Sequence, residues 1–424
     1  MMFYFKKIIK TWKTEGLTVL FGKVFRKISR NFQSDLDLNA LAYGDFYDFT
    51  KEDLIKNELI MKGYDEKKPF NIETATWFLP SFSSVTGGIV TIYKFAKLFQ
   101  DRGIKNRFVI FGAFFELPKD VIKRFQLAFP DLQNSEFSIF GNLSQGDIER
   151  LPYSDVAIAT RWDSAYAVLK FNKTKGKFYI MQDFEPLFYP AGKQYALAEQ
   201  TYRFGFVGLV SSLGLYNEYK KYNNRCDYFI PPVDRSIYFP GKKSDAGPIT
   251  VVFYGRPSSL RNGFELGIGA LRKVKARYGD KVNILSVGED WEEKKYGVRG
   301  IIQNMGFVPM KTLAKIYGES HIGLAFVFTK HPSFQPLELM ASGSAAVTNF
   351  NESNLWIYKD RENCLLPLPS ESCVADAICE LIEDKTLREK LVKNGMDTIS
   401  KRNWEDEMSS MWKFVINGEH IKHD

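Results

Sequence analysis

The sequence predicts an α/β protein with two parallel sheets, each buried between layers of helices. Three observations carry this. Short runs rich in Val, Ile, Phe and Tyr alternate with helix-like stretches from residue 71 onward, the alternation falls into two series, and the seam between them, PPVDRSIYFPGKKSDAGP at 231–248, is broken by prolines and glycines that fit neither pattern. With 45% hydrophobic and 15% aromatic residues in a chain of 424, there is material for more than one core.

The first series comprises strand-like TATWFLP (74–80), RFVIFGA (107–113), FSIFG (137–141), DVAIATRW (155–162), KFYIMQD (177–183), GFVGLVSS (205–212) and DYFIPP (227–232). Helix-like stretches such as IVTIYKFAKLFQDRG (89–103) lie between several of them. The second series is ITVVFYGR (249–256), VNILSVG (282–288), IIQNMGFV (301–308), HIGLAFVF (321–328) and AAVTN (345–349). The expected division is a helical extension at 1–70, a first α/β domain at 71–235, a second at 236–400, and a C-terminal segment, 401–424. In that last segment NWEDEMSSMWKFV (403–415) reads as an amphipathic helix, expected to pack back on the first domain.

Charge is concentrated at the start. Residues 1–30 hold Lys6, Lys7, Lys10, Lys13, Lys23, Arg26, Lys27 and Arg30 against Glu15, a net +7 out of +8 for the whole chain. Phe3, Phe5, Trp12, Phe21 and Phe25 stand among them. The apolar runs are too short to span a bilayer and no small-residue cleavage site follows, so an amphipathic anchor to an anionic membrane surface is expected. The plainer alternative is a helix packed on the protein body with a solvated basic face. No basic stripe continues into the body, which disfavours nucleic acid as a partner.

Cys226, Cys364, Cys373 and Cys379 form no C-x-x-C pair, and His321, His331, His420 and His423 make no ligand cluster with them. A reduced, cytoplasmic protein without a bound metal is expected. The DLD at 35–37 lies in a polar connector rather than at a strand end.

Ligands of open α/β sheets bind past the carboxyl ends of the strands, which singles out a small set of residues. Arg256 and Arg261 follow a strand and enter a helix, where forked donors and a helix dipole suit a diphosphate. Gly87 and Gly88 open a helix after another strand, where backbone N–H groups can approach a phosphate. In HPSFQPLELMASGSAAVTN (331–349), Pro336 suits the first turn of a helix starting near Gln335 and ending at Gly343. Glu338 then lies in that first turn, placed to accept hydrogen bonds from a diol such as a ribose. Asp183 and Glu185, just past YIMQ, are the leading acidic candidates at the cleft, followed by Arg161 and Asp163. Each also has a plainer reading as a surface arginine, a loop glycine or a cap.

The order of GRPSSLRNG, then GFV, then PSFQPLELMASG resembles the donor half of family 4 glycosyltransferases of the GT-B architecture, two Rossmann-like domains facing a cleft. The first half, with SSVTGGIVTIYKFAKLF, RWDSAYAV and YIMQDFEPLFYP, resembles WsaF-type rhamnosyltransferases. The resemblance covers roughly residues 71–415. It implies a hexosyltransferase that moves rhamnose from dTDP-rhamnose to a bacterial surface glycan with retention, acting peripherally at the inner face of the membrane on a lipid-linked acceptor. A UDP or GDP donor, an epimerase on the same architecture, and a non-catalytic glycan- or membrane-binding protein are the alternatives. Carried over, it gives Arg256 and Arg261 the diphosphate, with Arg256 catalytic, and Glu338 the ribose. Gly306, Phe307 and Val308 would border the base, Gly87 and Gly88 would face the diphosphate, and Ser333 and Phe334 would join the substrate site. Asp183 would orient the acceptor or stabilise positive charge, beside Glu185 and Arg161. Where the wider family carries a glutamate eight residues before Glu338, this chain has Lys330, which could neutralise a phosphate.

Overall fold

The computed structural model describes residues 46–82, 87–112, 116–243 and 247–420. The basic segment 1–30 and the DLD at 35–37 lie outside them.

The first domain is a seven-stranded sheet in the order β3-β2-β1-β4-β5-β6-β7, every adjacent pair parallel. Its strands are β1 (Thr74–Pro80), β2 (Lys105–Phe111), β3 (Glu136–Phe140), β4 (Val156–Ala159), β5 (Gly176–Met181), β6 (Val207–Ser211) and β7 (Cys226–Phe229). β4 to β7 are buried at every position, which is why they read as largely apolar rather than alternating runs, with Lys177 in β5 and Asp227 in β7 as buried charged exceptions. The second domain is a five-stranded parallel sheet in the order β10-β9-β8-β11-β12. Its strands are β8 (Ile249–Gly255), β9 (Val282–Gly288), β10 (Gln303–Asn304), β11 (Ile322–Leu324) and β12 (Ala345–Val347).

Two predicted strands shrink. HIGLAFVF pairs only over Ile322–Leu324, after which the chain leaves the ladder and Val327 N–H donates to the Asn349 side chain at 2.7 Å. IIQNMGFV pairs only over Gln303–Asn304, at the sheet edge.

Helices cover the first sheet: α1 (Lys51–Glu66), α2 (Gly87–Gln100), α3 (Pro118–Ala128), α4 (Gln145–Arg150), α5 (Trp162–Lys170), α6 (Lys193–Gln200) and α7 (Leu213–Tyr219). α1 is built into this domain, placing Met61 and Tyr64 in its core and donating from Asn57 Nδ2 to Phe204 O at 2.6 Å. The second sheet carries α8 (Phe264–Tyr278), α9 (Met310–Glu319), α10 (Gln335–Ala341), α11 (Glu371–Glu383) and α12 (Lys385–Ser400). The last helix, α13 (Trp404–Asn417), crosses back to the first domain. Its Met408, Met411, Phe414 and Val415 join Phe95, Phe99 and Phe229 in the first domain's core, and Glu407 accepts from Ile230 N–H at 2.9 Å. Burying four such side chains on the other domain is worth several kcal/mol, enough to hold the crossing in place.

Each sheet reverses its strand order at one point, between β1 and β4 in the first and between β8 and β11 in the second. The crevice past the carboxyl ends of strands at such a switch point is where open α/β sheets bind ligands.

Candidate functional site at the two switch points

On the first domain, β1 leads to α2 and its opening glycines. A Cβ built on Gly87 would stand 2.8 Å from the Phe334 ring of the second domain, so a side chain there would clash with that ring. Gly88 is held from below, its carbonyl accepting from Gln182 Nε2 at 3.0 Å. β4 leads to Arg161, whose guanidinium forks onto Asp163, with Nε 2.9 Å from Oδ1. The Ser164 hydroxyl accepts from the N–H groups of Thr160 and Arg161 at 2.9 and 3.0 Å.

β5 leads to the acidic pair, and the two carboxylates do different things. Glu185 is 4% exposed, and its carboxylate accepts from Trp162 N–H at the start of α5 and from Tyr179 Oη at 3.0 Å. Burial pushes its pKa up to about 8. It therefore ties β5 to α5 from below, with its oxygen engaged by protein donors. Asp183 instead reaches across the cleft: Oδ1 accepts from Phe184 N–H at 2.8 Å and Oδ2 from Arg261 Nη1 of the second domain. Burial pushes Asp183 up and the Arg261 charge pulls it back.

On the second domain, β8 ends at Gly255, where a Cβ would meet Ser286 Oγ at 2.5 Å. The next residue, Arg256, is half-buried; its carbonyl accepts from Ser259 N–H at 3.1 Å, while its guanidinium has neither a hydrogen bond nor an ion pair among the described residues. Arg261 follows in a single 3-10 turn, Leu260–Asn262, with its guanidinium carbon 4.4 Å from the centroid of Phe188 in the first domain. After β10 the chain turns at Gly306 (φ +72°), whose carbonyl accepts from Gly288 N–H at 3.0 Å. Phe307 is 72% exposed beside it, while Val308 packs partly buried against the second domain's core.

The segment from β11 to α10 supplies the rest. Lys330 points its ammonium at Glu218 on α7 of the first domain, 3.9 Å away. His331 is buried, and its Nδ1 accepts from Ser333 N–H at 2.9 Å. Ser333 has φ +61°, a left-handed conformation costing about 1–2 kcal/mol for a residue with a Cβ. Phe334 follows, against Gly87, and Glu338 N–H donates back to Phe334 O at 2.8 Å. Burial pushes the Glu338 pKa up to about 7, and the Tyr238 hydroxyl opposes that rise. Gly343 (φ +74°) closes α10.

The two domains thus bring together Gly87 with Phe334 and Asp183 with Arg261, Gly88 stands beside Gly87, and Arg256 lies past β8; Glu338 joins them through its N–H to Phe334 O, with its carboxylate on the Tyr238 hydroxyl. Glu185 and Arg161 lie at the same end of the first sheet, the former enclosed and the latter committed to Asp163. Three residues bearing on the site had no weight in the sequence reading. His331 stood inside the quoted stretch but formed no cluster, Phe188 stood inside QDFEPLFYP, and Gln182 ended YIMQ. Among the described residues no group of three or more His, Cys, Asp or Glu side chains could hold a metal ion.

The profile of the WsaF N-terminal domain matches residues 78–208, and that of the WsaF C-terminal domain matches residues 249–379. The chain belongs to the WsaF family. It is 40% identical over 352 residues to the O-antigen biosynthesis protein RfbC of Myxococcus xanthus, covering 82% of this chain and 27% of that protein. The match thus spans about a quarter of the relative's length. Anabaena HepE, solved in complex with UDP and glucose, superimposes with a TM-score of 0.63 at 14% identity, over 81% of this chain and 99% of that one. Sucrose-phosphate synthase from Thermosynechococcus elongatus does so with a TM-score of 0.61 at 13% identity, over 80% and 98%. The fold is the GT-B architecture of glycosyltransferases.

Proposed function

We propose that the protein is a nucleotide-sugar-dependent glycosyltransferase of bacterial surface-glycan assembly. The carrying observation is Arg256, half-buried at the end of β8 with its guanidinium unpaired among the described residues, five residues before Arg261, which meets Asp183 of the first domain. A guanidinium held there without a counter-charge is prepared for an anion. The membership of the WsaF family and the similarity to an O-antigen biosynthesis protein support the surface-glycan assignment.

In this reading the donor is dTDP-rhamnose and the acceptor a growing glycan, carried on a membrane lipid. Glu338 accepts from the sugar hydroxyls of the nucleoside, the loop Gly306–Val308 borders its base, and Arg256 and Arg261 take the diphosphate. The bond from the anomeric carbon to the phosphate oxygen breaks as the acceptor oxygen bonds to that carbon. The acceptor's proton passes to the departing phosphate, with retention of configuration. Charge builds on that phosphate in the transition state, and fixed guanidiniums there stabilise it. Asp183 orients the acceptor hydroxyl.

The test incubates purified protein with dTDP-rhamnose, UDP-glucose, UDP-galactose and GDP-mannose, following hydrolysis and thermal stabilisation, with and without EDTA. The expected result is a response to dTDP-rhamnose that survives EDTA. No response to any donor would reject the transferase reading, and loss with EDTA restored by Mg²⁺ or Mn²⁺ would reject the metal-free mechanism.

A further inference from the structure

We propose that His331 is the positioning residue of the donor-sugar pocket: its ring holds Ser333 in the left-handed conformation that sets Phe334 against Gly87 and so fixes the wall the transferred sugar meets. The inference rests on the donor-site reading above and adds to it a residue with no assigned part.

The geometry is local and over-determined. Ser333 has φ +61°, which a residue with a Cβ keeps only when its surroundings impose it. Four contacts impose it. His331 Nδ1 accepts from Ser333 N–H at 2.9 Å, and the Ser333 hydroxyl donates to the Gln335 side chain. Tyr358 Oη donates to Pro332 O at 2.6 Å, and Thr329 Oγ1 donates to His331 O at 2.9 Å. Only the first is made by a side chain to the amide of the strained residue itself.

That bond also fixes the tautomer. A ring nitrogen that accepts from an amide carries no proton, so the neutral ring carries its proton on Nε2. Burial, aided by the Arg261 charge, pushes His331 down to about 3, so the accepting form is present at every working pH.

The location gives the strain its consequence. Phe334 follows Ser333 directly and meets the start of α2 across the cleft. It stands one helical turn before Glu338, whose N–H donates to its carbonyl. His331 lies close enough to Arg261 to sense its charge. A sugar hanging from a diphosphate on Arg256 and Arg261, with its nucleoside on Glu338, meets this segment. A slack loop would leave the nucleotide bound and the sugar misplaced, and small misplacements are costly in turnover.

The test therefore separates nucleotide binding from turnover. His331→Ala is expected to lose roughly 10-fold in kcat, about 1.4 kcal/mol, while the dTDP-induced rise in Tm stays as in the parent. Adding Ser333→Gly, which adopts a left-handed φ without strain, is expected to recover most of that loss. If His331→Ala proves too unstable to purify, His331→Asn, whose amide oxygen can accept the same N–H, replaces it with a smaller loss and the same recovery. Full turnover in His331→Ala, loss of dTDP binding in step with turnover, or no recovery on adding Ser333→Gly would each overturn the proposal. Parent protein that neither hydrolyses a nucleotide sugar nor gains stability from dTDP would instead sink the transferase reading.

Discussion

In the proposed reading, Arg256 takes the diphosphate of the donor and Glu338 its ribose. Among the described residues the Arg256 guanidinium has no partner, so if it takes the diphosphate Arg256→Ala is expected to cost about 2–4 kcal/mol of transition-state stabilisation. Steady-state kinetics with dTDP-rhamnose would show it as a fall in kcat/KM of roughly 30-fold or more, and an unchanged value would remove Arg256 from the site. Glu338 adds a pH signature. Its pKa is raised to about 7 by burial, so the free protein holds it mostly protonated at pH 6 and mostly ionised at pH 8. The ionised form is the better acceptor from a ribose diol, so affinity rises with pH through that range, by roughly 10-fold if only the carboxylate binds. Calorimetry of dTDP binding at both pH values, set against Glu338→Gln, isolates the effect because titration of the nucleotide is common to both proteins. A parallel pH dependence in the two would show that Glu338 does not touch the ligand.

At the scale of elements, the loop Glu185–Phe188 after β5 and the turn Leu260–Asn262 after β8 face each other across the cleft. Asp183 and Phe188 hold Arg261 from the first domain by charge and by ring face. In the proposed donor site a diphosphate would compete with that carboxylate for Arg261. Asp183→Asn is therefore expected to tighten dTDP binding several-fold while lowering kcat, a split that titration and kinetics together would reveal. Weaker nucleotide binding in Asp183→Asn would contradict the competition.

This pairing also marks where sequence reasoning stops. The strands were legible because a sheet buried on both faces writes itself as apolar runs such as VAIA and FYIM. The positions of Arg256 and Arg261 after β8 and of Glu338 in the first turn of α10 were legible because strand ends and helix starts are local signals. The strand limits were not: IGLAFVF is without a polar side chain, yet only Ile322–Leu324 form the strand. Asp183 and Arg261 are 78 residues apart, and nothing local announces that they meet. The left-handed Ser333 carries no mark either, since a serine in a Pro-bracketed turn suggests no particular φ sign.

At the scale of the whole molecule, the two domains are tied at both sides of the cleft. Gly214 on α7 approaches the second domain so closely that a Cβ there would stand 2.1 Å from Ser353 O, Lys330 faces Glu218 nearby, and α13 clasps the first domain. None of these ties involves the basic start of the chain. Residues 1–30 carry a net +7, leaving about +1 for the remaining 394. Any electrostatic attraction to an anionic membrane would therefore fall almost wholly to that segment. Each lysine or arginine near an anionic bilayer contributes about 1 kcal/mol, and the interspersed aromatic side chains can enter the headgroup boundary. Attachment of this kind is reversible and screened by salt. It would hold the cleft near a lipid-linked acceptor without altering the chemistry inside. The 424-residue chain is expected to cosediment with phosphatidylglycerol-containing vesicles at low salt and to be released at high salt. A version lacking residues 1–30 is expected to remain in the supernatant and still gain stability from dTDP. Equal cosedimentation of the two versions, or of neither, would assign the basic segment to packing on the protein body.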